Sequence, residues 1–307
     1  MNETIPQKSS KGGLIPVIVA LIVLGALVAL VLNIYRSEAE SRSAAIEADT
    51  AKAGANRIDA VAKIVSADPV KGDMVVRVDF TPQGNLTADG GATLNRDLDL
   101  FVSSATGKQV HEFRKGKRMP PVEAVIAMYD GDAMDYPFDQ HEAEFLMYFE
   151  PSAAAGAPGA AAAPAADEDI PVAIELTGAV NGLAIEAEPA KENAPDYTAI
   201  DLTVTRATTA QFFSIFIMCA MWLLTAAVLF LAFHVLTDRR KIEVGMFSFL
   251  GALLFAFPAL RNSQPGTPPI GTYGDFLAFF WAEMLIALCL LTILSVWLIR
   301  GPGGTKA

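Results

Sequence analysis

Charge is scarce in this chain. Only 19% of its 307 residues are Asp, Glu, Lys or Arg, against about 25% in an ordinary soluble protein. Apolar residues make up 52% and the mean hydropathy is +0.37, a balance that points to a membrane. Cysteine is nearly missing: Cys219 and Cys289 are the two, both inside apolar runs, which excludes a disulfide framework and a thiolate metal site. The three histidines, His111, His141 and His234, lack zinc spacing. Neither a Gly-x-Ser-x-Gly elbow nor a phosphate loop occurs, so enzyme chemistry has no visible machinery. Excess positive charge is absent too. A net charge of −11 argues against nucleic-acid binding, which needs a basic surface to displace counterions from phosphate. The expectation is a membrane protein that is not an enzyme, with no cofactor and no metal.

Long apolar runs stand in place of charge. Leu14 to Leu32 is nineteen residues without a charge, enough to cross about 30 Å of hydrocarbon. Phe212–Leu236, Val244–Leu260 and Phe276–Ile299 behave likewise, and the third run is expected to kink or stop at Pro258. The expected spans are 14–34, 212–236, 244–260 and 276–299. The first reads as an uncleaved anchor, because it is longer than a signal h-region and Arg36 lies where a small-residue cleavage site would fall. Lys8 and Lys11 precede it, Arg239, Arg240 and Lys241 join the second and third runs, and Arg300 and Lys306 follow the fourth. The positive-inside rule then puts the tails 1–13 and 300–307 in the cytoplasm and residues 37–209 outside. That outer region carries 14 Lys and Arg against 29 Asp and Glu, and such an acidic face suits an envelope protein facing water rather than anionic lipid.

Within it, 37–56 is Ala-rich with scattered charge and reads as a helical stalk. From 57 to 209 the period becomes two. Ile58, Ala60, Ala62 and Ile64 alternate with polar residues, as do Val76, Val78 and Phe80, and Leu98 and Leu100 alternate with Asp97 and Asp99; such alternation marks half-buried antiparallel strands. Further strands are expected over 109–114, 122–129, 141–149, 171–178, 183–188 and 198–206. Asn181-Gly182 between two of them predicts a hairpin. The fold class is therefore a membrane protein with an all-β, sandwich-like extracytoplasmic domain and four transmembrane helices. Residues 151–169 are an Ala/Pro/Gly low-complexity insertion that cannot bury a core. Asn85-Leu-Thr87 is a glycan sequon in a host that glycosylates. Asp97 and Asp99, two apart on one strand face, read as a solvated face.

The most distinctive stretch runs from Asp130 to Glu142. Tyr136-Pro137-Phe138-Asp139 within it is a rigid turn with two aromatic anchors and a carboxylate that can cap amides or pair with a base. Asp130, Asp132, Asp135 and Asp139 offer calcium ligands, but Met134 occupies a ligand position of the EF-hand pattern and the required glycine is missing. This turn, followed by an alternating strand and a later strand that runs straight into a membrane helix, resembles the pentameric ligand-gated ion channels. The resemblance implies a turn at the membrane face of the domain, with Asp139 paired to a base before the first following helix; Arg206 stands in that place. The chain differs from those channels in its N-terminal anchor, its three following helices and its lack of a polar pore-lining stripe.

A second resemblance spans nearly the whole length. An anchor, a β-domain with Tyr136-Pro137-Phe138-Asp139, the segment Phe257–Gly271 with its Phe-Pro-Ala-Leu-Arg start, and Phe279-Phe280-Trp281-Ala282-Glu283 together resemble domain of unknown function family 4436, a group of bacterial and fungal membrane proteins. It implies the architecture and no chemistry.

The loop 261–275 holds three prolines and three glycines, which stiffen it into a fixed shape at the membrane surface. The turn at 136–139 is expected to rest on this loop, with the alternative of a linker touching nothing. Glu283, inside the fourth span, is costly there and is expected to face the bundle with Arg261 as its partner, either as a buried structural pair or on a proton or ion path. The preferred function is a non-enzymatic envelope protein whose outer domain binds a protein partner, or a second copy or ligand, and couples to helices in a lipid bilayer. The alternative is a channel or transporter subunit with Glu283 on the pathway.

Overall fold

The computed structural model describes residues 14–41, 46–48, 54–88, 90–91, 93–152, 170–190, 197–237, 242–266 and 268–300. The expected cytoplasmic tail 1–13, the basic triplet 239–241 and most of the insertion 151–169 lie outside the described residues.

Among the described residues ten strands form one mixed sheet. In chain order they are β1 (Ile46–Ala48), β2 (Ile58–Asp68), β3 (Asp73–Pro82), β4 (Leu98–Val102), β5 (Val110–Phe113), β6 (Val122–Asp130), β7 (Gln140–Pro151), β8 (Val172–Thr177), β9 (Leu183–Pro189) and β10 (Thr198–Arg206). The alternation in the sequence is what the strands bury. Ile58, Ala60, Ala62 and Ile64 of β2 point inward, and so do His141, Ala143, Phe145, Met147 and Phe149 of β7. The path β1-β8-β2-β3-β6 continues through β7 to β10 and β9, with β4 and β5 attached beside β7. β6 joins the two halves. It pairs with β3 over Val122–Ala127, then with β7 from Met128, across a register irregularity between Met128 and Asp130. Buried residues of both halves form one core, with Phe80, Phe113 and Phe149 packed ring edge to ring face or tilted.

Three expectations need correction. β8 lies parallel to β2, with Ile58 opposite Val172, so the sheet is not wholly antiparallel. A parallel neighbour needs a long crossover, and residues 69–171, which include β3 to β7, lie between these two strands. Asn181-Gly182 forms a turn, with Gly182 at φ +78°, but no hairpin: β8 pairs with β1 and β2, whereas β9 pairs with β10. The turn carries the chain from one half of the sheet to the other. In the expected stalk, the first helix continues to Ser41, and Ile46–Ala48 then pairs with β8 as strand β1.

The helices are α1 (Leu14–Ser41), α2 (Thr208–Thr237), α3 (Val244–Asn262) and α4 (Phe280–Arg300), the last preceded by a π-helical turn over Asp275–Phe279. Three stretches, Thr208–Thr237, Val244–Asn262 and Asp275–Ile299, are long and apolar enough to cross a membrane. They pack through Met221, Val228, Phe257, Ala282, Ile286 and Ile293, and leave Leu223, Phe230, Phe255 and Leu298 exposed, a surface that suits a lipid bilayer. Pro258 lies inside α3 and does not end it. The missing proline N–H costs one helix bond, and Arg261, one turn further, is held firmly enough for the helix to continue past it.

Candidate functional site

The site lies where the sheet meets the helices, and strand register builds its centre. β7 and β10 pair with Val204 opposite His141 and Thr205 opposite Gln140; one further step brings Asp139 opposite Arg206. The inward positions of β10 are Ile200, Leu202, Val204 and Arg206, so the same period-two pattern that buries aliphatic residues buries this guanidinium. Asp139 and Arg206 are 2% and 5% exposed. Arg206 Nε donates to both Asp139 oxygens at 2.9 Å. Its Nη2 lies 2.9 Å from Oδ2 as an ion-pair contact without hydrogen-bond alignment. His141 Nε2 lies 3.2 Å from the same oxygen.

Tyr136 ties this pair to the helices. Its bond to Pro137 is cis, and its side chain is 1% exposed. The phenol oxygen lies 2.5 Å from Ser214 Oγ of α2 and donates to the Pro265 carbonyl at 3.1 Å. The Tyr136 carbonyl accepts the Gly274 N–H at 3.0 Å, and the Arg206 guanidinium sits 5.0 Å over the ring. Burial pushes the phenol above its ordinary pKa, against the pull of the Ser214 bond and the Arg206 charge, so the hydroxyl keeps its proton and remains a donor at neutral pH. Phe138, the last aromatic of the motif, points outward and is 52% exposed.

The loop after α3 is held by a second buried pair. Arg261 Nε and Nη2 donate to the two oxygens of Asp275 at 2.8 Å. Nη1 reaches the Pro268 carbonyl at 2.8 Å and Nη2 the Pro269 carbonyl at 2.6 Å. Asp275 also accepts the N–H groups of Gly271 and Thr272. One arginine and one aspartate thus fasten both ends and the middle of the loop. This corrects the expected Arg261–Glu283 pairing: Asp275 sits at the start of the last apolar stretch, within reach, whereas Glu283 lies two turns further along it. Glu283 Oε2 is buried without a hydrogen-bond partner among the described residues.

The structure therefore brings Tyr136, Pro137, Asp139 and Arg206 together against the loop that Arg261 closes, and leaves Phe138 and Glu283 apart from them. Ser214 carried no sequence signal of its own, whereas Pro265, Gly274 and Asp275 lie in the 261–275 loop on which the turn was expected to rest, without being marked individually. Arg261–Asp275 is separated by 14 residues, beyond any helical spacing. His141 was readable as an inward strand position by alternation alone. Among the described residues no three His, Cys, Asp or Glu side chains gather as metal ligands; Asp130 and Asp132 instead accept the N–H groups of Gly131 and Met134.

No curated protein matches this chain. One family model, Domain of unknown function (DUF8686), matches residues 206–300, the part that holds α2 to α4. Another, Domain of unknown function (DUF4436), matches residues 48–210, just over half of the sequence and nearly all of the sheet. Neither description names a channel. The two matches overlap over residues 206–210, where the sheet gives way to the helices, and the chain belongs to the DUF4436 family.

Proposed function

We propose that this is a non-enzymatic integral membrane protein of the envelope, whose outer β-domain binds a partner or ligand and couples to its helices. The observation that carries the reading is the Tyr136 joint. One buried side chain bonds to α2, to the 261–275 loop and, through its ring, to the last residue of β10. A domain serving only as a tethered cap would need no such joint, because a flexible linker suffices to hold it near the membrane. Our reading treats the two halves of the sheet, which enclose one core, as the faces of a sandwich. It places the domain outside the cell membrane, both tails in the cytoplasm and α1 as a fourth span. Glu38, near the end of α1, accepts from Thr209 at the start of α2, which supports α1 running antiparallel to α2. Retention of a co-purifying partner by the full chain, lost when domain surface residues are changed, tests the function; purification without any partner or ligand at native mass of a monomer contradicts it.

A second reading, a channel or transporter subunit, is favoured by the partnerless Glu283 oxygen inside the bundle, since intramembrane carboxylates are costly and tend to mark pathways. Ion flux in liposomes that changes in Glu283→Gln supports it. Absence of flux from the wild-type protein removes it.

A further inference from the structure

We infer that the base of the β-domain is immersed in the membrane, with the turn at 133–138 and the loop residues 270–276 lying among lipid headgroups rather than in water. This rests on the three helices crossing a bilayer and is independent of partner binding.

Depth along α2 is the first argument. The Tyr136 phenol meets Ser214, six residues beyond the helix start at Thr208, about 9 Å along the axis at about 1.5 Å per residue. Gly274 packs against the Tyr136 carbonyl, and a Cβ there would also stand 3.7 Å from Met218 Sδ, ten residues in, about 15 Å along the axis. From Met218 to the end of α2 at Thr237 is about 29 Å, close to the roughly 30 Å hydrocarbon thickness of a bilayer. Headgroups add several ångströms on each side. Ser214 lies about 35 Å from Thr237 along the axis, so the Tyr136 turn sits at headgroup depth, just outside the hydrocarbon, beside the second turn of a helix whose Phe213, Ile215 and Phe216 are already exposed and apolar.

The chemistry of the rim agrees. Met134, Phe138, Ile270, Tyr273 and Phe276 are exposed large apolar side chains, Ile270 at 70%. They stand on the segments that the Tyr136–Gly274 bond holds together, continuous with the lipid-facing side of α4. Two pairs at this level are withdrawn: Asp139 with Arg206, and Arg261 with Asp275, are paired inside, while the Asp68–Lys71 pair stays on the surface. Trp222 and Trp281, half exposed, donate their indole N–H groups to the Leu277 and Phe276 carbonyls of the π-helical turn. Aromatic residues with one polar end mark the membrane interface. Exposed Asp132, beside the turn, and Asp135, within it, limit its immersion to headgroup depth.

The test uses the full chain with both native cysteines replaced (Cys219→Ser, Cys289→Ala) and single cysteines introduced at exposed positions. Phe138→Cys, Ile270→Cys and Tyr273→Cys report the base. Val110→Cys reports β5, which pairs beside the far half of β7. Each is labelled with a nitroxide in phosphatidylcholine liposomes, and its collisions with oxygen, which partitions into lipid, are compared with those of a water-soluble nickel chelate. The ratio of oxygen to nickel access is expected to be several-fold higher at 138, 270 and 273 than at 110. Equal ratios at 138 and 110 overturn the inference. So does a label at 138 that neither reagent reaches, because that result means the rim is covered by protein. Three base positions keep the test intact if one variant fails to fold.

Discussion

The two buried arginines among the described residues occupy similar surroundings and do different work. Arg261 has every donor group engaged: Nε, Nη1 and Nη2 all reach acceptors in one loop. Arg206 is almost equally buried, yet only its Nε makes aligned hydrogen bonds to Asp139. The first pair closes a loop on itself, within one stretch of chain. The second spans two strands and, through the Tyr136 ring, the loop and α2. An arginine with every donor aligned is held in place more tightly than one with an unaligned donor, although the Thr272 hydroxyl of the same loop is buried without a partner among the described residues. On this reading the 261–275 loop is the firmer platform and the Asp139–Arg206 pair the looser joint.

The sharpest way to break this comparison is Arg261→Met, which leaves Asp275 buried without its cation. Removing one partner of a buried ion pair costs about 3–5 kcal/mol, and thermal unfolding in detergent should show the largest destabilisation of any single change considered. Adding Asp275→Leu should recover only part of it, because the Pro268 and Pro269 carbonyls still lack their donor. Asp139→Asn should cost less, about 1.5–3 kcal/mol, since the amide oxygen can still accept from Arg206 Nε. A loss in Asp139→Asn equal to that in Arg261→Met would erase the distinction between platform and joint. Tyr136→Phe removes two hydrogen bonds while keeping the ring, and should cost about 1–2 kcal/mol in the same assay. Smallest is the glycine pair. Gly266 and Gly271 both have positive φ, +77° and +102°, so alanine strains either by about 1 kcal/mol. An added Cβ at Gly266 would lie 2.5 Å from Arg206 Nη1, whereas at Gly271 nothing lies within 4 Å. The excess loss in Gly266→Ala over Gly271→Ala therefore reports the contact between loop and joint.

The helices α2 to α4 and nine of the ten described strands were readable because each carries its own period: uncharged runs of spanning length, or alternation of apolar and polar residues. Asp139 and Arg206 became readable as a pair through the turn motif and the place of the arginine before α2. What was hidden depends on distance along the chain. Arg261 looked toward Glu283 because an intramembrane acid calls for a base, but the loop folds Asp275 back onto the arginine first. The parallel placing of β8 beside β2 could not be read from 172–177, since alternation gives the face of a strand and not its direction or neighbour. Asn181-Gly182 carries hairpin chemistry and makes a turn, yet the strands it joins pair elsewhere. Ser214 looked like one more small residue in an apolar helix, and only the approach of Tyr136 gives it a role.

The central claim of the proposed function is that the Tyr136–Asp139 turn transmits the state of the β-domain to the 261–275 loop and the domain-side ends of the helices. Hydrogen–deuterium exchange on the full chain in lipid nanodiscs, comparing wild type with Asp139→Asn, tests it most directly. The account predicts faster exchange at 264–276 and at the first turns of α2, with β2 and β3 unchanged. Faster exchange confined to β7 and β10, with the loop as protected as in the wild type, would contradict it.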